Sequence, residues 1–337
     1  MLEPICHAAA SGDLEEVTHL SNLDPLLARR RDFDGSTLLH IAASRGHIEI
    51  VKFMADLDAG LIDYADKGSR TPLLAAAKGG YTDVVEFLVQ VGSKCIDTPD
   101  GIDWTPIFEA AWYGHVPMVE LLVRLGSKAI DTQSRNGWTP MHAASMRNHP
   151  LVVETLIKLG SQALDTPMDD GWTPMCLAAK NGHVSVIDLL VKLGSGALDI
   201  PDNSGCTPMY LAAQYGRASV IEALFRMGSG AIDTPSKDGR TPLHAAAANG
   251  RVQAVETLVR LGSKAIDIGD NACDTPLEHA LLFGGPECGK VLIALGDIIS
   301  NESAVNEEYR SEVRYRVYFS RSLVERLLFS LDCKRGF

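Results

Sequence analysis

Residues 137–150 read GWTPMHAASMRNHP, and the Thr-Pro pair in this stretch returns along the chain at a fixed interval. Thr37 stands one period before the first Thr-Pro, with Leu38 in place of proline, and Glu3 stands one period earlier still. A long fixed period is typical of repeat architectures and here predicts nine units, ending near residue 296. The Thr-Pro pairs lie 34 residues apart and begin at 71, 105, 139, 173, 207, 241 and 275.

Each unit carries the signals of two short helices. Threonine is a favourable N-cap and proline fits the first helical position, so Thr-Pro begins the first helix. Small pairs such as Ala110-Ala111 follow and let a neighbouring helix come close. A turn such as Gly114-His115 leads to a second helix with apolar residues at helical spacing. Glycine then ends the second helix, and a polar linker forms a hairpin-like loop. These glycines are at 92, 126, 160, 194, 228, 262 and 296.

The segments TLLHIAASRGH at 37–47, TPMHAAS at 139–145 and TPLHAAAANGR at 241–251 resemble the ankyrin repeat. The resemblance implies an all-α ankyrin-repeat solenoid of helix-turn-helix units joined by hairpin loops. We expect this domain to cover 1–296, with atypical first and last units. It also implies a non-catalytic protein–protein interaction module that acts as a scaffold, adaptor or inhibitor.

Several units depart from the pattern. Glu3 replaces the threonine of the first repeat, and Asp58 replaces the glycine after the second helix of the second repeat. Gly101 comes early in the loop before the fourth repeat's threonine. We expect distorted loops at these points. An aspartate follows the apolar residue of most linkers, as at Asp97 and Asp131, and we expect these carboxylates to make the loops acidic and to supply much of the negative charge.

The segment 297–337 breaks the period and is predicted to be helical. Val305, Tyr309, Val313 and Val317 are four residues apart, although residues 313–319 also alternate as a strand would. We interpret the tail as a C-terminal cap, because a solenoid needs one on its open end. The alternative is a docking segment for a second partner.

Composition and charge narrow the functional classes. The net charge is −12 and no long basic block is present, which argues against nucleic-acid binding. No apolar run is long enough for a membrane helix. The seven cysteines are scattered without a C-x-x-C pair, which suits reduced thiols. We therefore expect a monomer in the cytoplasm or nucleus, with no membrane insertion.

The resemblance also implies recognition positions: the residue before each threonine, the two residues before the loop glycine, and the seventh and eighth residues after the threonine. All four tryptophans of the chain fall on these positions, and such residues are enriched at interface hot spots. We predict that a protein or peptide partner binds an aromatic-rich concave groove. The predicted partner-binding residues are Trp104, Trp112, Tyr113, Trp138, Met146, Arg147, Trp172, Tyr215, Arg70 and Arg240.

Three other interpretations of the tryptophans stay open. Each ring could lie over the next loop and only stiffen the hairpins. Alternatively, Trp104, Trp112 and Trp138 could surround a methyl-lysine or another short-peptide cation, with Glu109 as the acid. The repeats could also be a structural spacer whose tail makes the specific contact.

Nothing in the sequence predicts catalysis, a cofactor or a metal site. The stretch from Gly284 to Lys290 fits G-x-x-x-x-G-K, but valine follows the lysine and the stretch falls in an inter-helix turn. His40, His142 and His244 lie three residues after threonine, where the ring can bond to the helix start, and His47, His115, His149 and His183 lie in the inter-helix turns. No short Cys/His spacing suggests zinc.

Overall fold

The computed structural model describes residues 2–24 and 26–302, in two compact units, Met1–Asp169 and Asp170–Phe337. The first contains α1 (Leu2–Ser11), α2 (Leu14–Leu23), α3 (Leu38–Arg45), α4 (Ile48–Leu57), α5 (Pro72–Gly79), α6 (Thr82–Gln90), α7 (Pro106–Tyr113), α8 (Val116–Arg124), α9 (Pro140–Met146) and α10 (Pro150–Lys158). The second contains α11 (Pro174–Asn181), α12 (Val184–Lys192), α13 (Pro208–Gln214), α14 (Ala218–Arg226), α15 (Pro242–Ala248), α16 (Val252–Arg260), α17 (Pro276–His279) and α18 (Pro286–Glu302).

The helices of each unit form two layers. In the first unit the odd-numbered helices, which follow the threonines, contact one another in chain order from α1 to α9, and the even-numbered helices pack behind them. The second unit repeats this order from α11 to α18. Between residues 2 and 302, Pro25 aside, the chain forms no β-strand, so the all-α prediction is confirmed there. No helix in that part is long and apolar enough to cross a bilayer.

The Thr-Pro pairs begin the first helices as predicted. The Thr71 hydroxyl accepts the backbone N–H of Leu74 at 3.2 Å, and Pro72 occupies the first turn. The Ala76-Ala77 pair is fully buried in the layer of first helices. Local capping chemistry and close packing therefore account for the motif together.

The loops turn back as tight hairpins without becoming strands. In the third repeat, the Asp66 N–H donates to the Arg70 carbonyl at 2.9 Å, and the Lys67 N–H donates to Asp34 in the preceding hairpin at 3.0 Å. The residue two before the threonine has a left-handed backbone, usually as glycine. Asp103 takes this conformation in the fourth repeat with φ 66°, so the early Gly101 leaves the hairpin intact. The expected distortion is replaced by local backbone strain at Asp103.

The linker aspartates are structural and not merely solvated. Asp97 accepts the Ser127 hydroxyl at 2.5 Å and the Lys128 N–H at 2.9 Å, which ties two consecutive repeats. Asp131 binds Ser161 in the same way. Each of the two carboxylates therefore bridges to a serine 30 residues further along the chain.

The ninth repeat departs most from the pattern. A π-helical turn over Ala280–Gly284 follows α17, and Gly284 lies so close to the preceding repeat that an added Cβ would be 1.8 Å from the Ala247 carbonyl oxygen. Gly296 was predicted to end the second helix, and this is wrong: α18 continues to Glu302. The predicted helices of the tail lie almost wholly in 303–337, outside the described residues.

Candidate partner-binding surface

Helix α7 places two tryptophans on one face. Trp104 immediately precedes the N-cap Thr105, and Trp112 lies about two helical turns after that cap. The Trp104 and Trp112 ring centroids are 5.1 Å apart, and Phe108 lies between them in sequence, 4.7 Å from Trp104. The side chains of the first helix and its hairpin therefore meet in one aromatic group.

Trp138 from the next repeat joins this group through Trp112. Their ring centroids are 6.1 Å apart. We call Trp104, Phe108, Trp112 and Trp138 the aromatic cluster. Phe108 is buried in the core, whereas the three tryptophans are partly exposed. The structure thus brings together three of the predicted partner-binding residues.

The indole N–H groups of this cluster are available to a partner. Within the described residues, the N–H groups of Trp104, Trp112 and Trp138 have no hydrogen-bond acceptor, and none is a buried unsatisfied atom. Each ring therefore offers both apolar area and a donor at the surface.

Basic side chains lie over the aromatic rings of the first unit. The Arg147 guanidinium is 5.2 Å from the Trp112 ring centroid, and the Lys78 ammonium is 5.4 Å from that of Tyr113. These cation–π contacts orient both charges on the recognition face. They also mean that an external methyl-lysine on Trp112 would have to displace Arg147.

Glu109, the predicted acid of a cation cage, is an interior group. It is 2% exposed, its Oε1 is 3.8 Å from the Lys78 ammonium, and its Oε2 has no hydrogen-bond partner among the described residues. Burial raises the pKa of Glu109, and Lys78 offsets only part of that rise. The geometry therefore disfavours a methyl-lysine cage here, since the acid is sealed and already has a cation.

The second unit contains a separate aromatic pair. The Lys180 ammonium lies 4.5 Å from the Trp172 ring centroid and 5.1 Å from that of Tyr215. The Trp172 indole N–H donates to Asp202 in the next hairpin at 2.9 Å. Trp172 thus lies in contact with the next hairpin, which is the arrangement that the stiffening interpretation requires.

A sequence profile described as ankyrin repeats (3 copies) matches residues 5–98, 94–166, 161–233 and 227–302. The chain belongs to the ankyrin-repeat family. The crystal structure of the human ASB11 ankyrin repeat domain is similar, with 23% identity and a TM-score of 0.59, over 67% of this chain and 98% of that one. At this identity the likeness shows the fold alone. Among curated proteins, no significant match is found.

The fold class predicted from the motif, an all-α ankyrin-repeat solenoid, is confirmed. Ankyrin repeats are in general protein–protein interaction modules, and the family is typically non-enzymatic. The stretch from Gly284 to Lys290 spans the end of the π-helical turn and the start of α18, with no strand before it, and Lys290 pairs with Glu287 at 2.8 Å.

Two of the predicted binding arginines are held within the repeats. Arg70 forms two contacts of 2.8 Å with the buried carboxylate of Asp66 through Nε and Nη2, and Arg240 binds Asp270 at 3.2 Å. Burial alone would raise the pKa of Asp66, but hydrogen bonds from Arg70 and other donors lower it. Met146 is half-buried near the end of α9.

A buried group in the ninth ankyrin repeat was missed in the sequence. His279 is 1% exposed, and its Nε2 donates to Asp270 at 2.9 Å. The atoms of Asp270, Asp274 and His279 that could coordinate a metal ion lie within 4.8 Å of one another. Because Asp270 already binds His279 and Arg240, this group is a hydrogen-bonded network around one buried carboxylate. A carboxylate nine residues before the histidine, Asp270 before His279, is the signal that could have found it.

The turn histidines bind the preceding ankyrin repeat. His115 Nε2 bonds to the Lys78 carbonyl at 3.0 Å, and His149 Nε2 bonds to the Trp112 carbonyl at 3.1 Å. Each ring spans 37 residues of sequence to reach the end of the previous first helix. These partners account for the regular histidines without a metal ion.

Proposed function

We propose that this protein is a non-catalytic binding module that recognises a protein or peptide through its first unit. The binding surface is formed by the first helices α3, α5, α7 and α9 and their hairpins, and we call it the first-helix face. The module would act as a scaffold, adaptor or inhibitor, as a monomer in the cytoplasm or nucleus. The observation that carries the proposal is the aromatic cluster, in which three partly exposed tryptophans keep their indole donors available.

The packing of the tryptophan rings determines how much binding free energy each of them can contribute. Each ring is already partly covered within the protein, so a partner covers only the remaining area. Truncation of a central interface tryptophan costs about 2–4 kcal/mol of binding free energy. Two such truncations would therefore remove most of the affinity of an ordinary complex.

Affinity capture from cell extract tests the proposal. The wild type is compared with Trp104→Ala/Trp138→Ala, after circular dichroism shows that both are folded. Trp172 is left intact, because its bond to Asp202 supports a hairpin. The matched control is Val91→Ala/Leu151→Ala, which removes two exposed apolar side chains outside the first-helix face.

We expect a captured protein that depends on the two tryptophans and not on the control residues. Capture of the same proteins by wild type and tryptophan variant would mean that the cluster only stiffens the repeats.

A further inference from the structure

The first-helix face of the first unit carries three exposed cations, two of which have no carboxylate partner among the described residues. Arg45 and Arg147 occupy the same place, eight residues after the threonine of their repeats. Both are exposed, and neither forms an ion pair with a described residue. Lys78 is exposed between them in chain order, and its nearest carboxylate is the buried Glu109 at 3.8 Å. The indole N–H groups of the aromatic cluster add further hydrogen-bond donors to this face.

The acceptors near this face are mostly used or sealed. Asp66 is buried and binds Arg70, Gly68 and Ser36, and Glu109 is 2% exposed. A cavity of about 420 Å³ in the second and third repeats has acidic residues on one side and basic residues on the other. Asp32 and Asp34 line it on the hairpin side, and Arg45 and Lys78 line it on the helix side. The row of helix ends is therefore the basic side of the face.

Resting on the function proposed above, we propose that the partner supplies an extended acidic segment that lies along this row of helix ends. Its carboxylates pair with Arg45, Lys78 and Arg147, and its backbone or side-chain oxygens accept the indole N–H groups. An apolar residue of the segment covers the aromatic cluster, which lies between Lys78 and Arg147 in repeat order. The arrangement requires acidic residues on both sides of an apolar one.

The spacing of the repeats sets the length of the segment. The first helices α3, α5, α7 and α9 pack directly on one another. Packed helices lie roughly 8–10 Å apart. An extended chain advances about 3.3 Å per residue, so one repeat corresponds to about three residues. From Arg45 to Arg147 the segment therefore covers roughly nine or ten residues.

A random library of about 12-residue peptides, panned on the full chain, tests this ligand class directly. We expect enriched peptides with at least two Asp or Glu residues flanking an apolar or aromatic one. Synthetic copies, followed by fluorescence anisotropy, should bind more weakly as salt rises, because the paired charges are exposed.

Charge reversal locates the contact. Lys78→Glu/Arg147→Glu should weaken the acidic peptides about tenfold or more. The matched control, Lys94→Glu/Lys128→Glu, makes the same charge change in the same unit at two exposed lysines in loops after second helices. We expect the control to change affinity by less than about threefold. Equal weakening by the two variants would overturn the proposal.

Other outcomes separate the ligand class from the general function. Enrichment of basic or uncharged peptides that lose binding in Trp138→Ala would overturn the acidic segment and leave the aromatic surface as a binding site. No enrichment, together with tryptophan-dependent capture of a protein from extract, would also overturn the acidic segment alone. Capture that ignores the tryptophans would remove the proposed function itself.

Discussion

The histidine of the repeat motif makes two connections with one ring. His40 Nδ1 accepts the Thr37 N–H at 3.2 Å, and its Nε2 bonds to the Arg70 carbonyl in the next repeat at 2.9 Å. His244 does the same for Thr241 and Asp274. The ring must be neutral for this, because Nδ1 accepts while Nε2 donates. One side chain thus caps its own helix and fastens the next repeat.

This bonding predicts a pH dependence. Burial lowers the pKa of His40 and His244, although the carbonyl partner of each ring opposes the effect. Since the folded-state pKa lies below that of the unfolded chain, stability is complete above about pH 6.5 and falls as the pH drops below it. In His40→Leu/His244→Leu this fall should shrink. Leucine is already present at the same position in the third repeat, as Leu74.

Thermal unfolding at pH 7.5 and pH 5.5 is the measurement. The variant should lose about 1–3 kcal/mol at pH 7.5, through the missing hydrogen bonds, and show a smaller difference between the two pH values. Glu109 has a raised pKa and contributes with the opposite sign, so variant and wild type must be compared rather than a single slope. An unchanged difference would show that these rings do not control the pH dependence.

Single residues also show where sequence reasoning ends. The repeat register correctly placed every tryptophan beside a first helix, because the Thr-Pro cap fixes the helix start. It did not separate Trp172, whose indole binds Asp202, from Trp104 and Trp138. Asp202 is 30 residues after Trp172. The residues 30 positions after Trp104 and Trp138 are Ser134 and Met168, which have no carboxylate. This distinction depends on a residue 30 positions away and emerges only when the hairpins stack.

At the scale of the element, the hairpin depends on backbone contact with the next hairpin. The glycines that end the second helices were predictable from sequence, because the left-handed conformation is a local requirement. The Asp97–Ser127 clamp was not, because it joins two loops that are distant in sequence. Two glycines of the second unit separate the effect of the left-handed backbone from the effect of contact with the next hairpin.

Gly205→Ala should destabilise the protein more than Gly194→Ala. Both glycines have a left-handed backbone, with φ 81° and 90°. A Cβ at Gly194 meets nothing within 4 Å, whereas one at Gly205 would be 2.8 Å from the Lys237 backbone nitrogen in the next hairpin. Backbone strain alone costs about 1 kcal/mol, and the clash should bring the cost of Gly205→Ala to about 2–3 kcal/mol.

Urea unfolding gives the two free-energy losses, and hydrogen exchange shows where they act. Faster exchange in the hairpins around residues 202 and 236 should appear only in Gly205→Ala. Equal losses in both variants would mean that the backbone conformation, and not the hairpin contact, determines the cost.

At the scale of the whole molecule, each repeat is stabilised mainly by its neighbours, so the terminal repeats set the weakest points. The ninth repeat illustrates this. In earlier repeats the glycine after the second helix precedes a serine and an aspartate that clamp the loops, as at Ser127 and Asp131. Gly296 precedes Asp297 and Ile298 instead, without that serine. Helix α18 continues past this glycine to Glu302, and local glycine preference alone could not predict this.

The predicted capping role of 297–337 is testable with two truncations. A chain ending at 302 keeps α18 whole, and a chain ending at 296 shortens it by its last residues. Leu282 and Phe283 of the ninth repeat are 65% and 70% exposed. If the tail is the cap, the chain ending at 302 should already show faster hydrogen exchange in residues 275–296, while residues 174–192 exchange as before. Faster exchange only in the shorter chain would assign the capping to the end of α18, and unchanged exchange in both would show that the ninth repeat needs no cap.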